Sequence, residues 1–76
     1  MKVSEFLRMI PDAWRKDQQV KITVAFDSHH VAKMQGDANW IINNIPADYD
    51  MPVQRFHNYV DYNNGNPVSV LSIGAW

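Results

Sequence analysis

The side chains with the most chemical potential stand at residues 27–30, where Asp27, Ser28, His29 and His30 supply a carboxylate, a hydroxyl and two imidazoles. With His57 as a further donor, Asp27, His29 and His30 are candidate ligands of a metal ion. The spacing is unfavourable, because adjacent helical positions point about 100° apart and neither H-x-x-x-H nor H-E-x-x-H occurs. A metal-dependent or histidine-using enzyme centred on Asp27, His29 and His30 is therefore kept as an alternative. The simpler interpretation is a helix cap followed by exposed histidines.

Other enzymatic signatures are missing from the sequence. Neighbouring Ser, His and Asp residues seldom reach the roughly 3 Å contacts of a hydrolytic triad, and no G-x-S-x-G elbow is present. The three glycines lie far apart, so no phosphate-binding loop is formed. The chain has no cysteine, which removes disulfides and thiolate metal sites and fits a reducing compartment. We predict no catalytic residue and no cofactor.

A second group of side chains is suited to binding a protein. Tyrosine, tryptophan and arginine dominate interface energetics, and carboxylates can form a charged rim around an interface. For the aromatic residues, filling of the core is the alternative interpretation, and for the acidic ones it is a solvated loop. The predicted partner-binding residues are Tyr49, Asp50, Arg55, Tyr59, Asp61, Tyr62 and Trp76.

Composition narrows the kinds of partner. Seven basic and eight acidic residues give a net charge of −1 with the two signs interspersed, which disfavours direct nucleic-acid binding. No apolar run is long enough to span a membrane, and the N-terminus lacks the apolar region of a signal peptide. With 46% hydrophobic residues, the 76-residue chain is expected to fold as a single domain, 1–76, in the cytoplasm.

The first half of the sequence predicts short helices around one strand. Val3, Phe6, Leu7 and Ile10 share one helical face, in a helix that Ser4 would cap and Pro11 would end. A short turn carrying Trp14 and a polar connector over 15–19 follow. Alternation over residues 20–26 predicts a half-buried strand. Two further helices are expected at 29–35, ended by Gly36, and at 38–44, capped by Asp37 and carrying Trp40, Ile41 and Ile45 on its inner face.

The second half of the sequence predicts a β-hairpin. Alternating runs at 53–62 and 68–75 flank Asn64-Gly65, a pair that tolerates the positive φ angles of a type I′ turn. Pairing across this turn sets Val60 opposite Ser69 and Tyr59 opposite Val70. A hairpin needs a third strand for stability, and 20–26 is the candidate. The expected fold is α+β: an N-terminal helix and one or two short helices on a three-stranded, mainly antiparallel sheet that ends in the hairpin.

Apolar and aromatic groups occur on both predicted hairpin faces. One face suffices for the core, so the surplus on the other predicts a partner site. This surplus makes a non-enzymatic protein-interaction module the leading hypothesis. A structural homodimer formed by strand pairing is a second alternative, beside the histidine-centred enzyme.

The opening Val3-Ser4-Glu5-Phe6-Leu7, the Pro11-Asp12 break and the strand Val20-Lys21-Ile22-Thr23-Val24 resemble the start of many small bacteriophage-encoded proteins. The cysteine-free, catalytically bare build is similar to that of phage inhibitors of host defence, such as anti-CRISPR proteins. This resemblance implies a small inhibitor that binds a host protein or complex in the host cytoplasm and blocks it sterically. It assigns no role to any individual residue.

Overall fold

A computed structural model describes residues 1–15 and 20–76. Three helices are present in this part of the chain, α1 (Val3–Arg8), α2 (Asp12–Arg15) and α3 (Ala38–Asn44), with a 3-10 turn at Ala47–Tyr49. The four strands are β1 (Val20–Ala25), β2 (Lys33–Gly36), β3 (Arg55–Asn63) and β4 (Asn66–Gly74). The predicted connector over 15–19 lies outside the described residues, apart from Arg15, which is the last residue of α2.

The strands form one mixed sheet in the order β2-β1-β4-β3. β2 and β3 are antiparallel to their neighbours, whereas the central pair, β1 and β4, is parallel. The α+β class was therefore predicted correctly, but the three-stranded, mainly antiparallel sheet was wrong. β1 and β4 run in the same direction because β2, α3 and β3 intervene and carry the chain across the sheet before β4 returns beside β1.

The predicted helix over 29–35 is also wrong, because residues 33–36 form β2. The carboxylate of Asp27 accepts hydrogen bonds from the backbone N–H groups of His29, Val31 and Ala32. His30 adopts a left-handed φ of 58°, which is incompatible with a continuing helix. The chain therefore reverses after β1 and returns as an antiparallel strand.

The helices cover one face of the sheet, which we call the covered face. Fully buried there are Val3 and Leu7 of α1, Ile41 of α3, and Ile22, Val24 and Ile73 of the central strands. The predicted apolar face of α1 is confirmed, since Phe6 and Ile10 pack against the same cluster. The core therefore lies between two short helices and the middle of the sheet.

The two predicted helix caps behave differently. Asp37 caps α3 as expected, accepting the Trp40 N–H at 2.7 Å. Ser4 does not cap α1, because the helix begins at Val3 and its N-cap is Lys2. The Ser4 hydroxyl instead donates a hydrogen bond to the Asp50 carboxylate. Trp40 was expected on the inner face of α3, but its side chain is about half exposed. It packs over Gly36, where a Cβ would lie 3.2 Å from the indole.

The hairpin has the predicted register. Val60 pairs with Ser69, and Tyr59 with Val70. Asn64 and Gly65 both have positive φ angles, as a type I′ turn requires. Within residues 1–15 and 20–76, no helix combines the length and the apolar character needed to cross a membrane.

Candidate functional site

The face of the sheet opposite the helices has none of the core cluster on it, and we call it the open face. The strand registers place its side chains in rows that run across all four strands. Its two best-buried apolar residues, Val70 and Ala25, lie outside the core cluster. The strand residues of the open face are Lys21, Thr23, Ala25, Lys33, Gln35, Arg55, His57, Tyr59, Asp61, Val68, Val70, Ser72 and Gly74.

Charge is distributed unevenly between the two sides of the molecule. Lys21, Lys33 and Arg55 are exposed on the open face, and Asp61 is the carboxylate that the described strands place among them. Most of the other described acidic residues belong to the helices or adjoin them: Glu5, Asp12, Asp37, Asp48 and Asp50. The helices and their flanks also carry Lys2, Arg8 and Arg15, so among the described residues the helical side has a small negative excess and the open face a small positive one.

One end of the open face is built around Gly74. The guanidinium carbon of Arg55 lies 4.2 Å from the centre of the Trp76 ring, a cation–π arrangement. A Cβ on Gly74 would lie 2.6 Å from both the indole and Cγ of Arg55, so this close approach requires glycine. The His30 ring lies 5.2 Å from that of Trp76. Together with His57, these residues line a shallow cleft of about 320 Å³.

Two aromatic rings lie on the open face along the edge strand β3. The centroids of His57 and Tyr59 are 5.1 Å apart, with the rings inclined at 60°. Tyr59 pairs with Val70, which is only 3% exposed, while Tyr59 itself is 46% exposed. Tyr59 therefore lies next to a buried strand residue while almost half of its own surface is accessible to solvent.

The structure distributes the predicted partner-binding residues over three places: the open face, the tip of the hairpin and the 3-10 turn. Arg55, Tyr59 and Asp61 share the open face, and Trp76 lies against Arg55 at its end. Tyr62 is at the tip of the hairpin, 71% exposed.

Tyr49 and Asp50 lie apart from the open face, at the 3-10 turn. The Tyr49 ring is 5.0 Å from that of Phe26. Asp50 accepts hydrogen bonds from the backbone N–H and the hydroxyl of Ser4. These contacts give Asp50 a structural role, tying the turn to α1.

Sequence reasoning missed three polar residues of the open face. Lys21 was recognised as a residue of the first strand but was not among the predicted partner-binding residues. Lys33 and Gln35 were missed because their segment was predicted to be helical. Their period-two alternation around Met34 was the available signal.

The residues proposed for a metal site are used in other ways. The pKa of Asp27 is lowered by the hydrogen bonds that its carboxylate accepts, first from the Ala32 N–H, then from those of Val31 and His29, and by the nearby His29. These bonds organise the turn after β1. In the part of the chain that the structure describes, no group of three or more His, Cys, Asp or Glu side chains could hold a metal ion.

Comparison with known proteins finds no matching family model, no significantly similar curated protein and no significantly similar solved structure. The resemblance to phage inhibitors therefore stays a prediction.

Proposed function

We propose that this chain is a non-enzymatic protein-interaction module that binds an acidic surface of a partner protein through its open face. The observation that carries the proposal is the asymmetry of the sheet: helices cover one face, while the other presents cations and aromatic rings to solvent. In the finer form of the proposal, the partner is a host protein or complex and the chain is a phage-type inhibitor. Binding then blocks the partner by occupying its surface.

The composition of the open face supports protein binding. Arginine and aromatic residues are enriched among the residues that carry most binding energy at interfaces. Arg55 and Tyr59 meet that description, with Trp76 beside them. Lys21 and Lys33 add positive charge at the other side of the face, which would steer an acidic partner towards it and speed association.

The anchoring side chains are held before any partner arrives. Arg55 is stacked on Trp76, and Tyr59 packs beside His57 over the buried Val70. Arg55, His57 and Tyr59 belong to β3, and Trp76 follows β4 by two residues. Pre-organised side chains lose less conformational entropy on binding, so a larger part of the contact energy appears as affinity.

A matched pair of charge variants tests the proposal. Lys21→Glu/Lys33→Glu reverses two cations on the open face, and Lys2→Glu/Arg8→Glu makes the same charge change on the helical side. Tagged wild type and both variants would be used to capture proteins from a candidate host lysate. We expect the partner to be retained by the wild type and the helical-side variant and lost by the open-face variant.

The affinity for the captured partner is then measured by calorimetry at two salt concentrations. Tyr59→Ala should weaken binding by at least about tenfold, the effect of removing a hot-spot side chain worth more than about 1.4 kcal/mol. Equal binding by Lys21→Glu/Lys33→Glu, Tyr59→Ala and wild type, with all three proteins folded, would show that the open face is not the binding surface.

The histidine-centred enzyme remains a separate prediction with its own assay. If this prediction is correct, adding Zn²⁺ or Mn²⁺ raises the melting temperature of the purified chain, because a ligand that binds only the folded state stabilises that state. The His29→Ala/His30→Ala variant would have to abolish that shift. We expect no shift in either protein, since the Asp27 carboxylate is already engaged by three backbone N–H groups.

A further inference from the structure

We propose that two copies of this chain pair antiparallel through the outer edges of β3, with Asn58 at the two-fold axis. This inference does not require the proposed function, because it concerns the backbone edge of β3, although Arg55 and Asp61 belong both to that strand and to the open face. It rests on three features of β3: its unprotected length, the direction of its free backbone groups, and a sequence that is complementary to itself.

β3 is a long edge strand whose acidic and basic residues, Asp61 and Arg55, have opposite charges and lie near its two ends. Its nine residues pair with β4 without interruption from Arg55–Gly74 to Asn63–Asn66, so no bulge bends it away, and it contains neither proline nor lysine. Among the described residues no strand pairs with its outer side. The other edge, β2, has four residues, one of them Lys33. Long, unprotected edges are the ones that recruit a further strand.

The hairpin turn determines which residues of β3 offer free backbone groups. In the two-residue turn, the Asn63 carbonyl faces the Asn66 N–H, so Asn63 is hydrogen-bonded to β4. Hydrogen-bonded positions alternate along an antiparallel pair. Asp61, Tyr59, His57 and Arg55 therefore also direct their backbone groups towards β4. The outward groups belong to the residues between them: Phe56, Asn58, Val60 and Tyr62.

A second β3 strand fits this edge in a register centred on Asn58. Phe56 then lies opposite Val60 of the second copy, and the contact occurs twice by symmetry. Both are outward-bonding positions, so the two strands can exchange N–H···O bonds. Phe56 and Val60 are 63% and 56% exposed on the covered-face side of β3, where the Phe56 ring lies 5.4 Å from that of Phe6 in α1. Pairing would remove this apolar surface from water.

Charge complementarity selects the register. Centring on Asn58 places Arg55 opposite Asp61 of the second copy, again twice, and cross-strand pairs of opposite charge are stabilising. A register centred on Tyr59 would instead place Arg55 opposite the neutral Asn63. It would place Asp61 opposite His57, so neither Arg55–Asp61 pair would form. The Asn58 register is therefore favoured.

The pairing would join two sheets into one of eight strands. The two-fold axis of an antiparallel edge contact is perpendicular to the sheet, so both open faces would point to the same side. The dimer would thus present two copies of the proposed partner-binding surface side by side, and a partner with two acidic patches would gain affinity through multivalency.

Disulfide trapping tests the register directly, since the chain has no cysteine of its own. Residues in a hydrogen-bonded antiparallel pair have Cα atoms about 5.5 Å apart, within the range that a disulfide spans. Asn58→Cys should therefore form a covalent dimer under mild oxidation. Tyr62→Cys is the matched control on the same strand, because its two copies would lie about 26 Å apart in this register. Equal dimer yields from the two variants would overturn the proposal.

Mass measurement provides the second test. Light scattering of the wild type at about 100 μM should give twice the 8.8 kDa mass of one chain. Asp61→Arg should give single chains, because it sets two arginines against each other. Arg55→Asp/Asp61→Arg, checked for folding by circular dichroism, should restore the dimer. A wild-type mass of 8.8 kDa would overturn the proposal, leaving the β3 edge free for a strand of another protein.

Discussion

The two faces of the sheet differ in whether their side chains are packed in the core or exposed to solvent. On the covered face, Ile22, Val24 and Ile73 belong to the hydrophobic core cluster and are almost completely buried. On the open face, at the alternate strand positions, Lys21 and His57 are exposed and Thr23 is partly exposed. In this chain of 76 residues, the covered face forms the hydrophobic core that stabilises the fold. The side chains of the open face remain available for binding. Substitutions at adjacent strand positions should therefore have separable effects.

Removing a side chain from the covered face should have the largest effect. Ile22→Ala deletes a fully buried side chain of β1 and leaves a cavity, which should lower the free energy of unfolding by about 2–5 kcal/mol. The neighbouring Thr23→Ala, on the open face, should change it by about 0.5 kcal/mol. Urea unfolding measures both. Similar losses in the two variants would mean that the faces do not differ in their contribution to stability.

Gly74→Ala should lower the free energy of unfolding by an intermediate amount, and the substitution lies on the open face. The added methyl group meets Trp76 and Arg55, and such overpacking costs about 1–3 kcal/mol. A change in tryptophan fluorescence should accompany the loss, as the indole of Trp76 is displaced. Gly74→Ala/Trp76→Ala removes one of the colliding groups and should recover part of the stability. If it does not, the Trp76 ring does not rest on Gly74 in solution.

Loss of the α3 cap should lower the free energy of unfolding by a smaller amount. The cap lies on the covered side of the sheet. Asp37→Ala removes the acceptor of the Trp40 N–H and should cost about 0.5–2 kcal/mol. Asp37→Asn keeps a capping oxygen and should cost less. Thermal unfolding of the two variants separates loss of the cap from loss of charge. Equal destabilisation would assign the effect to the charge of Asp37 instead.

The smallest change in stability should come from removing the charge of Asp27, which lies in the turn after β1. Its folded-state pKa is lowered from 3.8, because its ionised form accepts backbone hydrogen bonds, chiefly from Ala32. The ionised group therefore stabilises the fold above pH 3.8, and this contribution disappears as the pH falls through the lower folded-state pKa. Asp27→Asn should melt below the wild type at pH 7, and the difference should shrink in acid. A difference that stays constant with pH would contradict this assignment.

Local signals in the sequence predicted the local features of the fold. The Asn64-Gly65 turn and the alternation around it define the complete hairpin register, and Asp37 marks the start of α3. The sequence did not predict β2, since a tight turn organised by the Asp27 carboxylate overrides the helical pattern. Nor did it predict the parallel pairing of β1 with β4. That arrangement depends on contacts between distant segments, which no local pattern encodes.

The candidate site was predicted to the extent that it belongs to the hairpin. Alternation along β3 placed Arg55, Tyr59 and Asp61 on one face, and the structure keeps them together. Lys33 and Gln35 were missed with their strand. Tyr49 and Asp50 were grouped with the hairpin because of their residue types, but their contacts with Phe26 and Ser4 hold them at the 3-10 turn. Residue type indicates what a side chain can do, and only the topology decides which side chains act together.

The parallel pairing of β1 with β4 also constrains how the chain reaches its folded state. The two central strands come from opposite ends of the sequence, Val20 pairing with Ser69 and Ala25 with Gly74. Closing so long a loop costs entropy before any contact repays it, and such topologies fold slowly. During synthesis the middle of the sheet cannot assemble until β4 has left the ribosome. Until then β1 has only β2 beside it, so a chain stalled before residue 66 would expose the apolar side of β1 to aggregation.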